Sequence, residues 1–127
     1  MFETLDLTRM ARAMAAQAGA RLGVIARNVA QADTPGYKAM DLPDFAISYQ
    51  AASPQGMRAT RPGHLAAASK MLEPMPDRSG GEASPDGNTV SLAREMVKSV
   101  VARQQHDMAL SVYRATSEIV RTSLGRR

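Results

Sequence analysis

The side chains from which most protein chemistry is built are scarce in this chain. It has two histidines, His64 and His106, and no cysteine. The missing thiol removes disulfides and thiolate metal sites. Two imidazoles cannot make a zinc site without several carboxylates beside them. His64 sits in Arg61-Pro62-Gly63-His64, a turn-like loop, and reads as a surface residue. His106, between Gln105 and Asp107 on an expected helix, reads as solvated or as a subunit contact. Gly80-Gly81 lacks the lysine and the flanking strand and helix of a phosphate loop. No segment assembles nucleophile, base and orienting group. The expectation is therefore no catalytic residue, no metal, no cofactor and no small-molecule substrate: the chain is not read as an enzyme.

Charge points in the same direction. The formal net charge is +4 and the pI about 10, which invites a nucleic-acid or anionic-membrane partner. The basic residues are nevertheless scattered (Arg9, Arg12, Arg21, Arg27, Arg94, Lys98, Arg103, Arg114, Arg121), and only Arg126 and Arg127 are adjacent. Scattered positive charge reads as a solvated helix face, so no nucleic-acid partner is expected. A basic helical nucleic-acid module would need a clustered stripe and a steep salt dependence of binding. A secreted helical effector or a chaperone would instead show a stable solo fold with a dedicated partner.

If chemistry is absent, the elements themselves must be the working parts. All seven prolines fall between Pro35 and Pro85. Proline breaks helix interiors, so the ends can be helical and the middle cannot. This predicts an N-terminal helical segment 1–34, an irregular middle 35–85 and a C-terminal helical segment 86–127. The fold class is all-α: two long terminal helices packing as a coiled-coil pair in an assembly. The middle is expected to be disordered alone or ordered only against partners, with a short strand at 45–49, a short helix or strand at 66–72, and a flexible stretch at 77–82. Aromatic residues are only 4% of the chain, without tryptophan. Large rings carry much of a compact core's burial, so Ala, Val, Leu, Ile and nine Met suit thin helix–helix seams that sister molecules must close.

In the first segment Leu7, Ala11, Met14, Ala18, Leu22, Ile25, Val29 and Ala32 recur at intervals of three and four, one amphipathic face. Asn28 beside it is a candidate polar register residue. Gly19 and Gly23 each weaken a helix but would let a neighbour approach closely. Asp33-Thr34-Pro35-Gly36 stops the helix: Thr34 precedes proline, Pro35-Gly36 fits a type II turn, and Asp33 suits an Asx turn. Asp86-Gly87-Asn88 is a turn, Ser91 a candidate N-cap, and Glu95 lies near the positive helix end. Leu92, Met96, Val100, Met108, Val112, Ala115 and Ile119 then form the second stripe, which Gln104 interrupts. Arg103–Asp107 and Arg114–Glu118 are spaced as i,i+4 ion pairs. Met10, Met14, Met96 and Met108 read as core packing. Gly125 closes the second helix.

The most specific string is Ala26-Arg27-Asn28-Val29-Ala30-Gln31-Ala32-Asp33-Thr34-Pro35-Gly36-Tyr37-Lys38. It resembles the N-terminal signature of the flagellar rod and hook axial family, which typically reads Ala-Ser-Asn-Ile-Ala-Asn followed by Ala-Asp-Thr-Pro-Gly-Tyr-Lys. Arg27 replaces the usual serine, Gln31 the second asparagine, and Val29 an isoleucine; Asp33 to Lys38 match throughout. Asp86-Gly87-Asn88-Thr89-Val90-Ser91-Leu92 with Glu95-Met96 looks like the start of the C-terminal helix in proximal rod members, and the short middle has no room for large outer domains. Together the two ends cover about 70 residues. Arg94, where an acidic residue is usual, and a loose helix centre at Gln104-Gln105-His106-Asp107 depart from the pattern.

The resemblance implies a structural subunit of the proximal rod of the bacterial flagellar basal body, part of a hollow drive shaft in the periplasm. It implies self-association through both helices. It also implies contact with FlgC-type and other rod subunits, a FliE-type adapter and the membrane ring. Export would use the flagellar type III apparatus without a cleaved signal. That agrees with the lack of an apolar signal core over residues 1–12.

Overall fold

A computed structural model of the chain describes residues 2–51, 72–79 and 83–125. His64, Gly80-Gly81, Arg126 and Arg127, and all but the last residue of the 66–72 stretch, lie outside the described residues.

Among the described residues the fold is all-α apart from one small ribbon. Helix α1 runs Phe2–Ala30. Strand β1 (Met40–Asp41) pairs antiparallel with β2 (Met75–Pro76), Met40 opposite Pro76 and Asp41 opposite Met75. Helix α2 spans Phe45–Ala51, and helix α3 runs Leu92–Ser123. The two long helices pack antiparallel: Asn28 meets Glu95 at one end of the hairpin, and Arg12 meets Tyr113 at the other.

The strand expected at 45–49 is instead helical. The Asp44 carbonyl accepts from the Ser48 amide at 3.0 Å and from Ser48 Oγ at 2.8 Å, closing a helical turn. Phe45 and Tyr49 then stack with ring centroids 5.2 Å apart. In a helix residues i and i+4 are neighbours, whereas a strand would hold them about 13 Å apart. Alternation over five residues carried too little information to separate the two.

The stop of α1 is built much as its residues require. The Tyr37 amide donates to Thr34 O at 3.3 Å and Gly36 has φ +72°, as a type II turn demands of its third residue. Regular helix nevertheless ends at Ala30, before the expected 34, because Ala32 and Thr34 bond three residues back in a tightened last turn. Asp33 is exposed and makes no hydrogen bond among the described residues, so the Asx turn does not form. At the start of α3, Ser91 holds an extended N-cap conformation (φ −112°, ψ 109°) but its side chain makes no capping bond. Gly125 (φ +69°) terminates α3 as expected.

The inner seam is made of small residues. On α3 the buried positions are Glu95, Ala102, Ala109 and Thr116, spaced by seven. On α1 they are Ala11, Gln17, Ala18, Val24, Ile25 and Asn28. A seven-residue repeat is the mark of a left-handed coiled-coil seam. Here it lets the two backbones approach over alanines.

This places the expected stripes differently from a simple core. Ala11, Ala18 and Ile25 are buried in the seam, while Met14, Leu22 and Ala32 are half-buried and Leu7 and Val29 exposed. On α3, Leu92, Met96, Val100, Met108 and Ile119 are 48–67% exposed, Ala115 is exposed and Val112 half-buried. The core-packing expectation for the methionines is corrected accordingly, since Met10, Met96 and Met108 face solvent. The reason is that α3 carries two stripes, and the one of small residues, which includes a carboxylate, faces inward. Gly19 and Gly23 are also open, with nothing within 4 Å of an added Cβ, so they do not serve the α1–α3 contact. Neither Arg103–Asp107 nor Arg114–Glu118 forms an ion pair among the described residues.

Candidate assembly site

The two motifs that stood out in the sequence meet at one end of the hairpin. The turn at Thr34–Tyr37 docks on the turn at Ser84–Gly87 and the two residues after it. Gly36 N–H donates to Asp86 O at 3.0 Å, Thr89 N–H to Tyr37 O at 3.1 Å, and Lys38 Nζ to Gly87 O at 2.9 Å. Gly87 sits at φ +81°, and a Cβ there would come within 3.6 Å of the Gly36 Cα. At 3.6 Å that is an ordinary contact, so it is the positive φ at Gly36 and Gly87, not lack of space, that calls for glycine.

Asn88, which the sequence offered only as a turn residue, ties the junction to α1. It is 2% exposed, and its Nδ2 lies 2.7–3.0 Å from the carbonyls of Gln31, Ala32 and Thr34. These are the carbonyls that a helix leaves unpaired at its C-terminus. A side chain more than fifty positions away thus caps α1. Its Oδ1 accepts from Val90 N–H at 2.8 Å.

Asn28 is fully buried, which rejects an exposed role for it. Its Nδ2 donates to Met40 O at 2.7 Å and to Glu95 Oε2 at 3.0 Å. Its Oδ1 accepts from Met40 N–H at 3.1 Å and Tyr37 Oη at 3.2 Å. All four hydrogen-bonding positions of the amide are used, on three different segments. Asn28 therefore sets the register of α1 against α3 and against the ribbon.

Around it lies a charge cluster that sequence reading missed. Arg21 bonds Asp41 through both forks at 2.9 Å. Lys98 reaches three carboxylates: Asp77 at 2.5 Å, Asp41 at 3.3 Å and Glu95 at 3.3 Å. Arg94 adds a bond to Ser79 O at 2.6 Å. The ribbon is thereby pinned to both long helices. Burial alone would raise Asp41, but the Arg21 bonds and the nearby Lys98 outweigh it and hold the carboxyl below its ordinary 3.8. Asp77 is also lowered: burial opposes, and the bonds from Lys98 and Ser79 prevail. Burial works against the Lys98 ammonium, yet Asp77, Asp41 and Glu95 together raise it above 10.5. Arg21 is raised chiefly by its bond to Asp41. The only early signal was that Arg21 and Asn28 are seven apart on the α1 face that carries the seam.

The other part of the site is surface. Besides the exposed residues of the second stripe, Val97 and Val101 are 64% and 41% exposed, so an apolar ridge runs along the side of α3 away from α1. Leu5, Leu7, Met10 and Val29 are exposed on α1. Single exposed apolar residues are ordinary, but a continuous helix face of them marks a contact surface. Among the described residues no group of His, Asp and Glu could hold a metal, and no helix is long and apolar enough to cross a membrane.

No protein-family model matches the chain. It is 32% identical over 120 residues to the flagellar basal body rod protein FlgB of Agrobacterium fabrum, an alignment that covers 89% of this chain and 88% of that one. That similarity lends no support to a nucleic-acid module, an effector or a chaperone.

Proposed function

The chain belongs to the FlgB family of flagellar basal body rod proteins, and on that premise we propose that it is a structural subunit of the rod and not a catalyst. The observation that carries this reading is the apolar ridge of α3, which the chain's own fold leaves uncovered. Segments 1–34 and 86–127 supply the axial core, and 35–85 lies outside it. Leu7, Leu22 and Val29 on α1, with Leu92, Met96, Val100, Met108, Val112, Ala115 and Ile119 on α3, contact neighbouring subunits. Ala11, Met14, Ala18, Ile25 and Asn28 instead hold the hairpin in the shape those neighbours need. Asp33 to Lys38 fixes where the chain leaves the axial core.

In this reading the chain sits in the proximal, periplasmic rod, beside FlgC-type subunits, a FliE-type adapter and the membrane ring. It reaches that place through the flagellar type III export apparatus. The rod so formed transmits torque and passes exported subunits through its channel. The test compares ridge and seam. Met108→Asp and Ile119→Asp should leave a folded, exported chain that builds no rod. Ile25→Asp, which buries a charge in the seam at a position 4% exposed, should unfold the hairpin itself. Normal swimming with both ridge variants would refute the assignment.

A further inference from the structure

The charges beside the α3 ridge repeat with the ridge. Val97, Met108 and Ile119 are spaced by eleven, and so are Arg103 and Arg114, and Asp107 and Glu118. Eleven residues make about three turns, about 16.5 Å, so the ridge runs nearly straight along the helix. At about 100° per residue the four charges fall within about 60° of each other, on one flank of the outer face, with Met108 and Ile119 on the other flank and Val100 and Ser111 between. All four are exposed. Arg103, Arg114 and Glu118 have no ion pair among the described residues, and Asp107 has only its neighbour His106 at 3.7 Å.

This pattern is complementary to itself in one orientation. When two identical helix faces meet antiparallel about a two-fold axis, the same edge of each meets its counterpart. A parallel pair would bring opposite edges together and leave these charges without partners. An antiparallel pair reverses the order. Arg103 and Glu118 are equidistant from the midpoint between Leu110 and Ser111, and so are Asp107 and Arg114. One antiparallel register therefore sets Arg103 against Glu118 and Asp107 against Arg114, each twice. Arg121 lies outside the ladder and falls opposite Val100, where it meets no like charge.

We infer that two copies of this chain pair antiparallel through the outer face of α3, centred between Leu110 and Ser111. The contact is isologous and closes on itself, so it cannot propagate. From Val97 to Ile119 the ridge is about 33 Å long and about 10 Å wide, or about 330 Å². A stable interface takes about 800 Å² per partner. The pair is thus weak and reversible, and it dissolves in salt because its charges are exposed. The inference rests on the reading of the α3 ridge as the rod-facing surface, since the dimer would cover that surface until a rod site displaces the second copy.

The whole chain, which has no native cysteine, is the test material. Sedimentation equilibrium should show a dimer that dissociates on dilution and at high salt. Oxidation should cross-link Ser111→Cys, whose copies meet at the axis. It should not cross-link Ala93→Cys, whose copies stand about 52 Å apart along the pair. Arg103→Glu with Arg114→Glu, or Asp107→Lys with Glu118→Lys, should each weaken the dimer about tenfold or more, and an equal mixture of the two variants should restore it. Cross-linking at both positions would mean a parallel pair and overturn the inference, as would a monomer at all concentrations. Rod building by Met108→Asp tests the assembly reading separately. If wild type never dimerises but Met108→Asp builds no rod, only the dimer falls. If wild type dimerises as described but Met108→Asp still builds rods, only the assembly reading falls.

Discussion

Asn28 shows how much one side chain can hold. It joins α1, the ribbon and α3 through hydrogen bonds of 2.7–3.2 Å, in a site with no exposure. Asn28→Ala removes every one of them and leaves Met40 and Tyr37 groups without partners. The expected loss is about 2–4 kcal/mol, read as a lowered denaturation midpoint. The cluster beside it makes stability depend on pH at both extremes. Asp41 and Asp77 are lowered from 3.8, so their contribution is present above that value and disappears as pH falls below it. Lys98 is raised from 10.5, so its contribution is present below that value and disappears as pH climbs past it. Melting temperature against pH should therefore hold between these limits and fall outside them, and Lys98→Met should flatten the alkaline limb.

At the level of elements, the end of α1 has two independent determinants. The sequence shows one, the Thr34-Pro35-Gly36 stop with its positive φ at Gly36. The other is the Asn88 cap, which arrives only when the start of α3 is in place. Asn88→Ala should leave the proline turn intact yet fray the last turn of α1. Amides 31–34 should exchange faster with solvent, with an overall loss of about 1–2 kcal/mol. Slow exchange there in the variant would show that the proline stop suffices. The helix at Phe45–Ala51 illustrates the opposite case, in which a seven-residue element takes its form from its contacts. Gln17 Nε2 anchors its approach by donating to Pro43 O at 2.5 Å, and Ser48 is buried.

Over the whole molecule, the hairpin divides its residues between an inward seam and outward faces. Gly19 and Gly23 lie on the outward side of α1 with free space above them. Gly19→Ala with Gly23→Ala should therefore stabilise the isolated chain, by up to about 1 kcal/mol at each position. If the rod uses that face for close approach, the same variant should assemble poorly despite its higher melting temperature. Normal motility would show that no neighbour comes close there.

What the sequence determined by itself was the local structure: two long helices from the three-four spacing and the confinement of proline to 35–85, the turn at Pro35-Gly36, and the family resemblance carried by Asp33 to Lys38. These follow from short-range periodicity and backbone sterics, which a linear pattern records. Tertiary structure alone decided which stripe of α3 turns inward. A search for apolar residues selects Leu92, Met96, Val100, Met108 and Ile119, whereas the packed face runs through Glu95, Ala102, Ala109 and Thr116. Glu95 can be buried only because Asn28 and Lys98 reach it, and Asn28 stands 67 positions away in the chain. A carboxylate's partners in space leave no periodic mark on its neighbours in sequence, so its burial became legible only in the fold.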